Sequence, residues 1–296
     1  MQKRYQPKVN SESAKPMRKI AISNQKGGVG KTTTAANLSA SVAELGKDVL
    51  IIDMDPQSNL SVHMGVEVQR NQPSVYALMR GECSPEDALY ETPVAGLKLI
   101  PANIDLAGLE VELSTEPLGR EKCLSNALQS IESDFDYIFI DCPPSLGLLT
   151  LNAMCAANEI FIPLQTEFFA LQGLGRLMQT VRLVQKSLDS QTEVTGIIAC
   201  MFDVRTSLAT EVLEEIKQHF GDILFDTVVR KNVRLAEAPS FGTPVSAYDS
   251  DCYGTEDYRS LAREVINMTE TTDQPAAEDS TPPLPDTPKQ EIAKAS

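Results

Sequence analysis

Six short runs of the chain are almost continuously apolar: residues 20–23, 49–52, 97–100, 137–140, 160–164 and 194–201. Runs of this length without polar alternation belong to strands covered on both faces. Between them, apolar positions recur every three to four residues, the helical spacing. Residues 31–45 place Ala35, Leu38, Val42 and Leu45 on one face, and 120–132, 171–188, 208–220 and 255–268 also predict helices. Strands and helices alternate without an internal repeat. That predicts an α/β fold with one twisted, mostly parallel sheet and helices on both faces, formed as a single domain over 18–268.

The two ends break the pattern. Residues 1–17 carry Lys3, Arg4, Lys8 and Lys15 against Glu12, a net charge of +3, and residues 269–296 hold five prolines, six acids and two lysines, net −4. Neither end has the large apolar side chains needed for a core. Both are expected to be flexible arms, the first basic, the second acidic and disordered. Met17 stands directly before the first strand and is a second candidate start.

Composition narrows the function classes. Of 296 residues, 42% are hydrophobic and 23% charged, which excludes global disorder, and the net charge of −15 argues against a whole surface that coats nucleic acid. A local basic patch stays open. The six cysteines (83, 123, 142, 155, 200 and 252) form no C-x-x-C pair and read as isolated thiols of a reducing compartment, and two histidines are too few for a histidine metal site. The longest uncharged run, 142–158, contains two prolines and reads as a strand end, a turn and a buried helix rather than a membrane span. No apolar stretch follows the first residues, so no secretory signal is expected. The expected location is the cytoplasm.

The strongest chemical signal is Gln25-Lys26-Gly27-Gly28-Val29-Gly30-Lys31-Thr32-Thr33, between the first strand and the first helix. Glycines there let successive N–H groups converge on phosphate oxygens, and the helix N-terminus adds partial positive charge. Lys31 is placed to reach β- and γ-phosphates and Thr32 to give its hydroxyl to Mg²⁺. Where the common phosphate-loop motif begins with glycine, this chain has Gln25, followed by an early lysine, Lys26; K-G-G-x-G-K-T-T is the deviant Walker A pattern. Two further strands end in acids: Asp53 and Asp55 in Asp53-Met54-Asp55-Pro56-Gln57, and Asp141 in a Walker B pattern. Open α/β sheets place ligands at this end. Asp141 is expected to hold Mg²⁺ through water.

With the run 20–59 and the segment Asn232-Val233-Arg234-Leu235-Ala236-Glu237-Ala238-Pro239-Ser240, the chain resembles the ParA/Soj chromosome-partitioning ATPases, a deviant-Walker P-loop family, over essentially all of 18–268. The resemblance implies an ATP-dependent homodimer with Mg²⁺. Lys26 would reach the nucleotide of the opposite subunit, and Gly27 and Gly28 would lie at the dimer contact. The backbone from Lys26 through Gly27, Gly28, Val29, Gly30, Lys31, Thr32 and Thr33 would hold the phosphates. Asp55 would position the attacking water, Asp53 would support Mg²⁺ from behind, and Asn232 would lie near the adenine. A proline of the family is replaced by Arg230 here, a departure at the base-packing position. The same resemblance assigns sequence-independent binding of double-stranded DNA to Arg205, Lys231 and Arg234, release by a ParB-like partner, and association with the nucleoid. From charge alone, Arg230, Lys231 and Arg234 form a local basic cluster that reads more readily as a solvated loop than as a phosphate-contact patch. With only a short N-terminal arm, the helix-turn-helix domain of some plasmid relatives is not expected.

Rival readings fit less well. A MinD-like membrane-cycling ATPase needs a basic amphipathic C-terminal helix, and this tail is acidic and proline-rich. An iron–sulfur reductase needs cysteine ligands at suggestive spacing, and Cys142 has none. A positioning ATPase for another cargo shares every residue of the cycle and is separated by gene neighbourhood, not by sequence. A regulatory protein without hydrolysis would not need Lys26, Lys31, Thr32, Asp55 and Asp141 together.

Overall fold

The computed structural model of the chain describes residues 17–115, 119–167, 170–188 and 190–271. In order, these form β1 (Arg18–Ile22), α1 (Lys31–Glu44), β2 (Val49–Asp53), α2 (Asn59–His63), α3 (Val75–Arg80), β3 (Tyr90–Glu91), β4 (Leu97–Ile100), α4 (Leu106–Ser114) and α5 (Cys123–Leu128). There follow β5 (Tyr137–Asp141), α6 (Leu148–Ala156), β6 (Glu159–Gln165), α7 (Ala170–Leu188), β7 (Glu193–Cys200), α8 (Ser207–Phe220), α9 (Arg234–Glu237), α10 (Val245–Tyr248) and α11 (Tyr253–Thr271). The strands make one sheet in the order β3-β4-β2-β5-β1-β6-β7, parallel except for the short edge strand β3. The expected α/β architecture is what the chain forms.

The continuous apolar runs are explained by two cores. Alternate residues of the central strands, Ala21, Leu50, Ile52, Ile138 and Ile140, pack with α4, α6 and α7 on one face. Ile20, Ile22, Val49, Ile51 and Phe139 pack with α1 and α11 on the other. Side chains alternate across a strand, so a strand between two helical layers needs apolar residues at every position. Arg18, at the opposite end of the sheet from Asp53 and Asp141, is a polar exception. Its guanidinium meets both carboxylate oxygens of Glu159 at 2.6 Å and donates to the carbonyl of Val265, tying β1, β6 and α11 together.

Three details depart from the sequence pattern. Leu45, expected on the buried face of α1, is 41% exposed. The helix stops at Glu44 because Gly46, at φ 84°, turns the chain and bonds back to the carbonyl of Ala43, which swings Leu45 outward. The helix expected over 120–132 shrinks to α5 and a 3-10 turn at Glu132–Asp134. Asn152 causes this. Its Nδ2 donates to the carbonyl of Arg120 and its Oδ1 accepts the N–H of Leu124, so it takes both partners of the bond that would begin a longer helix. The last helix begins at Tyr253 and runs to Thr271, past the expected end at 268. The two expected arms lie outside the described residues, except for Met17 and the residues that α11 takes up.

Candidate functional site

Parallel registry collects the site. Ile22 of β1 and Asp53 of β2 are both paired with Asp141 of β5, so three adjacent strands end at one level. The ladder continues for one step, with the N–H of Met54 on the carbonyl of Asp141 and that of Cys142 on the carbonyl of Ile22. Both Asp53 and Asp141 are fully buried.

The loop between β1 and α1 is shaped by Asn24, which the sequence pattern did not single out. Its Nδ2 donates to the carbonyl of Pro163 at 2.8 Å and its Oδ1 accepts the N–H of Lys26 at 3.0 Å. Gly28 and Gly30 take φ values of 74° and 94°, which residues with a Cβ rarely adopt. Gly30 is also the N-cap of α1, so no side chain occupies the N–H groups of the first turn. An uncapped N-terminus of a 14-residue helix, facing a glycine loop, is built to receive an anion. Val29 is buried beneath the loop, and the carbonyl of Thr33 accepts from Asn37.

Lys31 is only 8% exposed, and its Nζ donates to the carbonyl of Lys26 at 3.4 Å. Burial lowers its pKa, with Asp141 and Asp55 acting in the opposite direction. Thr32 donates its hydroxyl to Asp141 Oδ2 at 2.7 Å. The other oxygen, Oδ1, is buried without a hydrogen-bond partner among the described residues. Burial, and then the neighbouring charge of Asp53, holds the Asp141 carboxyl well above the usual carboxylate range. An orphaned buried carboxylate oxygen beside a threonine hydroxyl fits a divalent cation or its bound water. No group of three or more His, Cys, Asp or Glu side chains forms a metal cage among the described residues. Mg²⁺ takes most of its ligands from water and substrate phosphates.

Asp53 is held by three donors: the hydroxyl and N–H of Ser61 at 2.7 and 2.9 Å, and the N–H of Asp55 at 3.1 Å. Burial nevertheless pushes its pKa up to about 6. Asp55 lies half-buried beyond it, with Oδ1 accepting the N–H of Gln57 at 2.9 Å. Lys26 points away from its own loop. Its side chain is 54% exposed and pairs with Glu167 at 2.6 Å, with Gln165 Oε1 at 3.3 Å.

The structure therefore brings Lys26, Lys31, Thr32, Asp53, Asp55 and Asp141 to one end of the sheet. The remaining expected residues form a second region. The N–H of Lys231 bonds to the carbonyl of Phe202, and Phe202 bridges to Arg230, which sets the 203–206 loop beside the 230–234 segment just past β7. Arg205 pairs with Asp203 through two bonds of 2.8 and 2.7 Å. Arg234 pairs with Glu237 at 2.8 Å and Asp249 at 3.1 Å. Arg230 does not join them. It pairs with Asp257 and Glu256 and lies 4.3 Å from the ring centre of Tyr253. Asn232 accepts the N–H of Arg234 at the start of α9, away from the phosphate loop's own hydrogen bonds. Lys231 is exposed.

Sequence reasoning missed Asn24, Ser61 and Glu167. Each acts through a partner distant in sequence or through a backbone group, and neither leaves a spacing signal.

The AAA domain family pattern matches residues 17–194. A chromosome partitioning protein ParA of Caulobacter vibrioides is 48% identical over 257 residues, 86% of this chain and 96% of that protein. The sporulation initiation inhibitor protein Soj of Bacillus subtilis is also 48% identical, over 83% of this chain and 97% of its own length. Among solved structures, cobyrinic acid a,c-diamide synthase from Mycobacterium smegmatis with bound ADP and magnesium superimposes with a TM-score of 0.76 at 33% identity, covering 87% of this chain and 97% of that one.

Proposed function

This chain belongs to the ParA/Soj family of chromosome-partitioning ATPases, and we propose that ATP joins two copies into a dimer that holds DNA until a partner triggers hydrolysis. It is an ATPase that uses Mg²⁺. The observation that carries the site is the Thr32–Asp141 pair with its orphaned buried oxygen, next to the uncapped first turn of α1. Thr32 and Asp141 would hold Mg²⁺, with Asp53 behind them. Once bound, the ion neutralises developing charge on the phosphate oxygens.

The chain's own residues divide the remaining work. Backbone N–H groups of Gly27 to Thr33 bind the β-phosphate, and Lys31 gives up the carbonyl of Lys26 for phosphate oxygens. Asp55, oriented by its neighbours, accepts from the attacking water. Phosphoryl transfer is mostly positioning and electrostatic stabilisation, so a second cation matters greatly. Lys26 cannot serve its own loop while paired with Glu167, and its exposure supports a role across a dimer.

On that dimer, Arg205, Lys231 and Arg234 would contact DNA phosphates without reading sequence, and a ParB-like protein would release the complex by stimulating hydrolysis. Dimerisation doubles the contacts and makes the second engagement intramolecular. Asn232 would lie towards the base. No helix among the described residues is long and apolar enough to cross a membrane. The proposed working place is the nucleoid, in the cytoplasm.

Light scattering with ATP tests the assembly directly. Wild type is expected to scatter as a dimer. Lys26→Ala is expected to bind ATP with unchanged affinity and to remain monomeric. A Lys26→Ala protein that dimerises as well as wild type removes the cross-subunit role.

A further inference from the structure

Behind Asp55, one buried side chain ties three segments together. Ser61, in α2, is 1% exposed. Its hydroxyl and its N–H both donate to Asp53 Oδ2, at 2.7 and 2.9 Å. The same hydroxyl oxygen accepts the N–H of Ala102 at 3.0 Å, from the loop after β4. The other oxygen of Asp53 accepts the N–H of Asp55. A continuous chain of bonds thus runs from Ala102 through Ser61 and Asp53 to the backbone of Asp55.

The segment carrying Asp55 needs such ties. Ser58, between Asp55 and α2, sits at φ 56°, a left-handed conformation that residues with a side chain enter at a cost. With two donors on one oxygen and one on the other, the Asp53 carboxylate cannot rotate without breaking a buried bond.

We propose that Ser61 is a positioning residue for ATP hydrolysis, its hydroxyl locking the Asp53 carboxylate and through it the backbone that aims Asp55. This rests on the assignment of Asp55 to the attacking water. It adds that the loop between β4 and α4 reaches the hydrolytic step through Ala102, so moving that loop changes turnover and leaves nucleotide affinity alone.

Three variants separate positioning from packing. Ser61→Ala and Ser61→Cys lose the strong hydroxyl bonds, the cysteine while filling the volume, and Ser61→Thr keeps them. All are measured at a temperature where circular dichroism shows them folded. For Ser61→Ala and Ser61→Cys, kcat is expected to fall about 10- to 100-fold, the scale of small misplacements outside the reacting atoms, with KM and affinity for a fluorescent ATP analogue within about twofold of wild type. Ser61→Thr should restore kcat. Amide hydrogen exchange at Ala102 should quicken in the first two variants and not in the third. Combined with Asp55→Ala, Ser61→Ala should cost no further turnover, because both act on one step.

Full turnover in Ser61→Ala or Ser61→Cys, or a loss of affinity matching the loss of turnover, overturns the role of Ser61 alone, provided Asp55→Ala is inactive. An active Asp55→Ala overturns the water assignment and this inference with it.

Discussion

Asp53, Asp141 and Lys31 are almost wholly buried, while Arg205 and Arg234 carry side chains 81% and 46% exposed, although the carboxylates end strands and Arg205 lies just past one. The buried set leaves chemistry unfinished: a carboxylate oxygen without a partner among the described residues and a lysine resting on a carbonyl at 3.4 Å. The exposed set is finished. Arg205 and Arg234 already hold acids of their own chain, and those pairs lie in water, where an ion pair contributes little. A nucleotide arriving with Mg²⁺ would complete it, its phosphate taking Lys31 and the cation or its bound water taking the Asp141 oxygen. If the exposed region is the proposed DNA contact, a phosphate there would have to displace Asp203, Glu237 or Asp249 from an arginine, so each new pairing would add little. One region is organised before its ligand binds; the other, as the proposed DNA contact, would exchange partners and depend on their number.

The sharpest way to break this contrast is Asp55→Ala. Removing a positioned acid–base group costs on the order of 10² to 10⁴ in rate. Phosphate release should fall by that much while ATP binding persists, and the ATP dimer should accumulate in light scattering. Turnover that survives would mean the buried region is not organised around Asp55.

A second effect tests how strictly the buried region excludes charge. His63 is 2% exposed, its Nε2 has no partner among the described residues, and burial lowers its pKa to about 4. The unfolded chain takes up this proton near pH 6.5, the native protein only near 4, so stability is lost as pH falls through that window. The loss amounts to about 2–3 kcal/mol by pH 4. Asp53 works in the opposite direction: with its folded pKa raised to about 6, its charge costs the native state at higher pH, and stability returns as pH falls from 6 towards 4. Melting temperatures of wild type and His63→Gln, taken at several pH values, isolate the histidine. The variant should gain on wild type as pH drops. A constant difference would show that His63 titrates normally.

The smallest effects belong to the exposed region, and there the sign is the test. Lys231→Ala or Arg234→Ala should flatten the dependence of log DNA affinity on log salt by about one unit for each phosphate no longer neutralised, with ATP binding and dimerisation unchanged. Asp203→Asn, which frees Arg205 from its own acid, should strengthen DNA binding. Slopes unchanged from wild type in both Lys231→Ala and Arg234→Ala would leave this loop as ordinary surface and place the DNA site elsewhere.

The sheet, its order of strand and helix, and the phosphate loop were legible in the chain because each is local. A buried parallel strand declares itself in a few consecutive residues, and the loop's glycines, lysine and threonine act through contiguous backbone. Even Asp53 and Asp141 could be placed, since both end apolar strands. The rest waited on tertiary structure. Asn152 cuts short a helix that begins some thirty residues earlier, by taking a carbonyl and an N–H that helical spacing alone assigns to each other. Ser61 gains its importance from Ala102, 41 positions away. The basic segment read as one cluster, yet folding sends Arg230 to Asp257 and Glu256 and leaves Lys231 at the surface. Periodicity reports which side chains leave water. Which polar groups then find each other depends on where the sheet registers and helices set them down, and only the folded chain decides that.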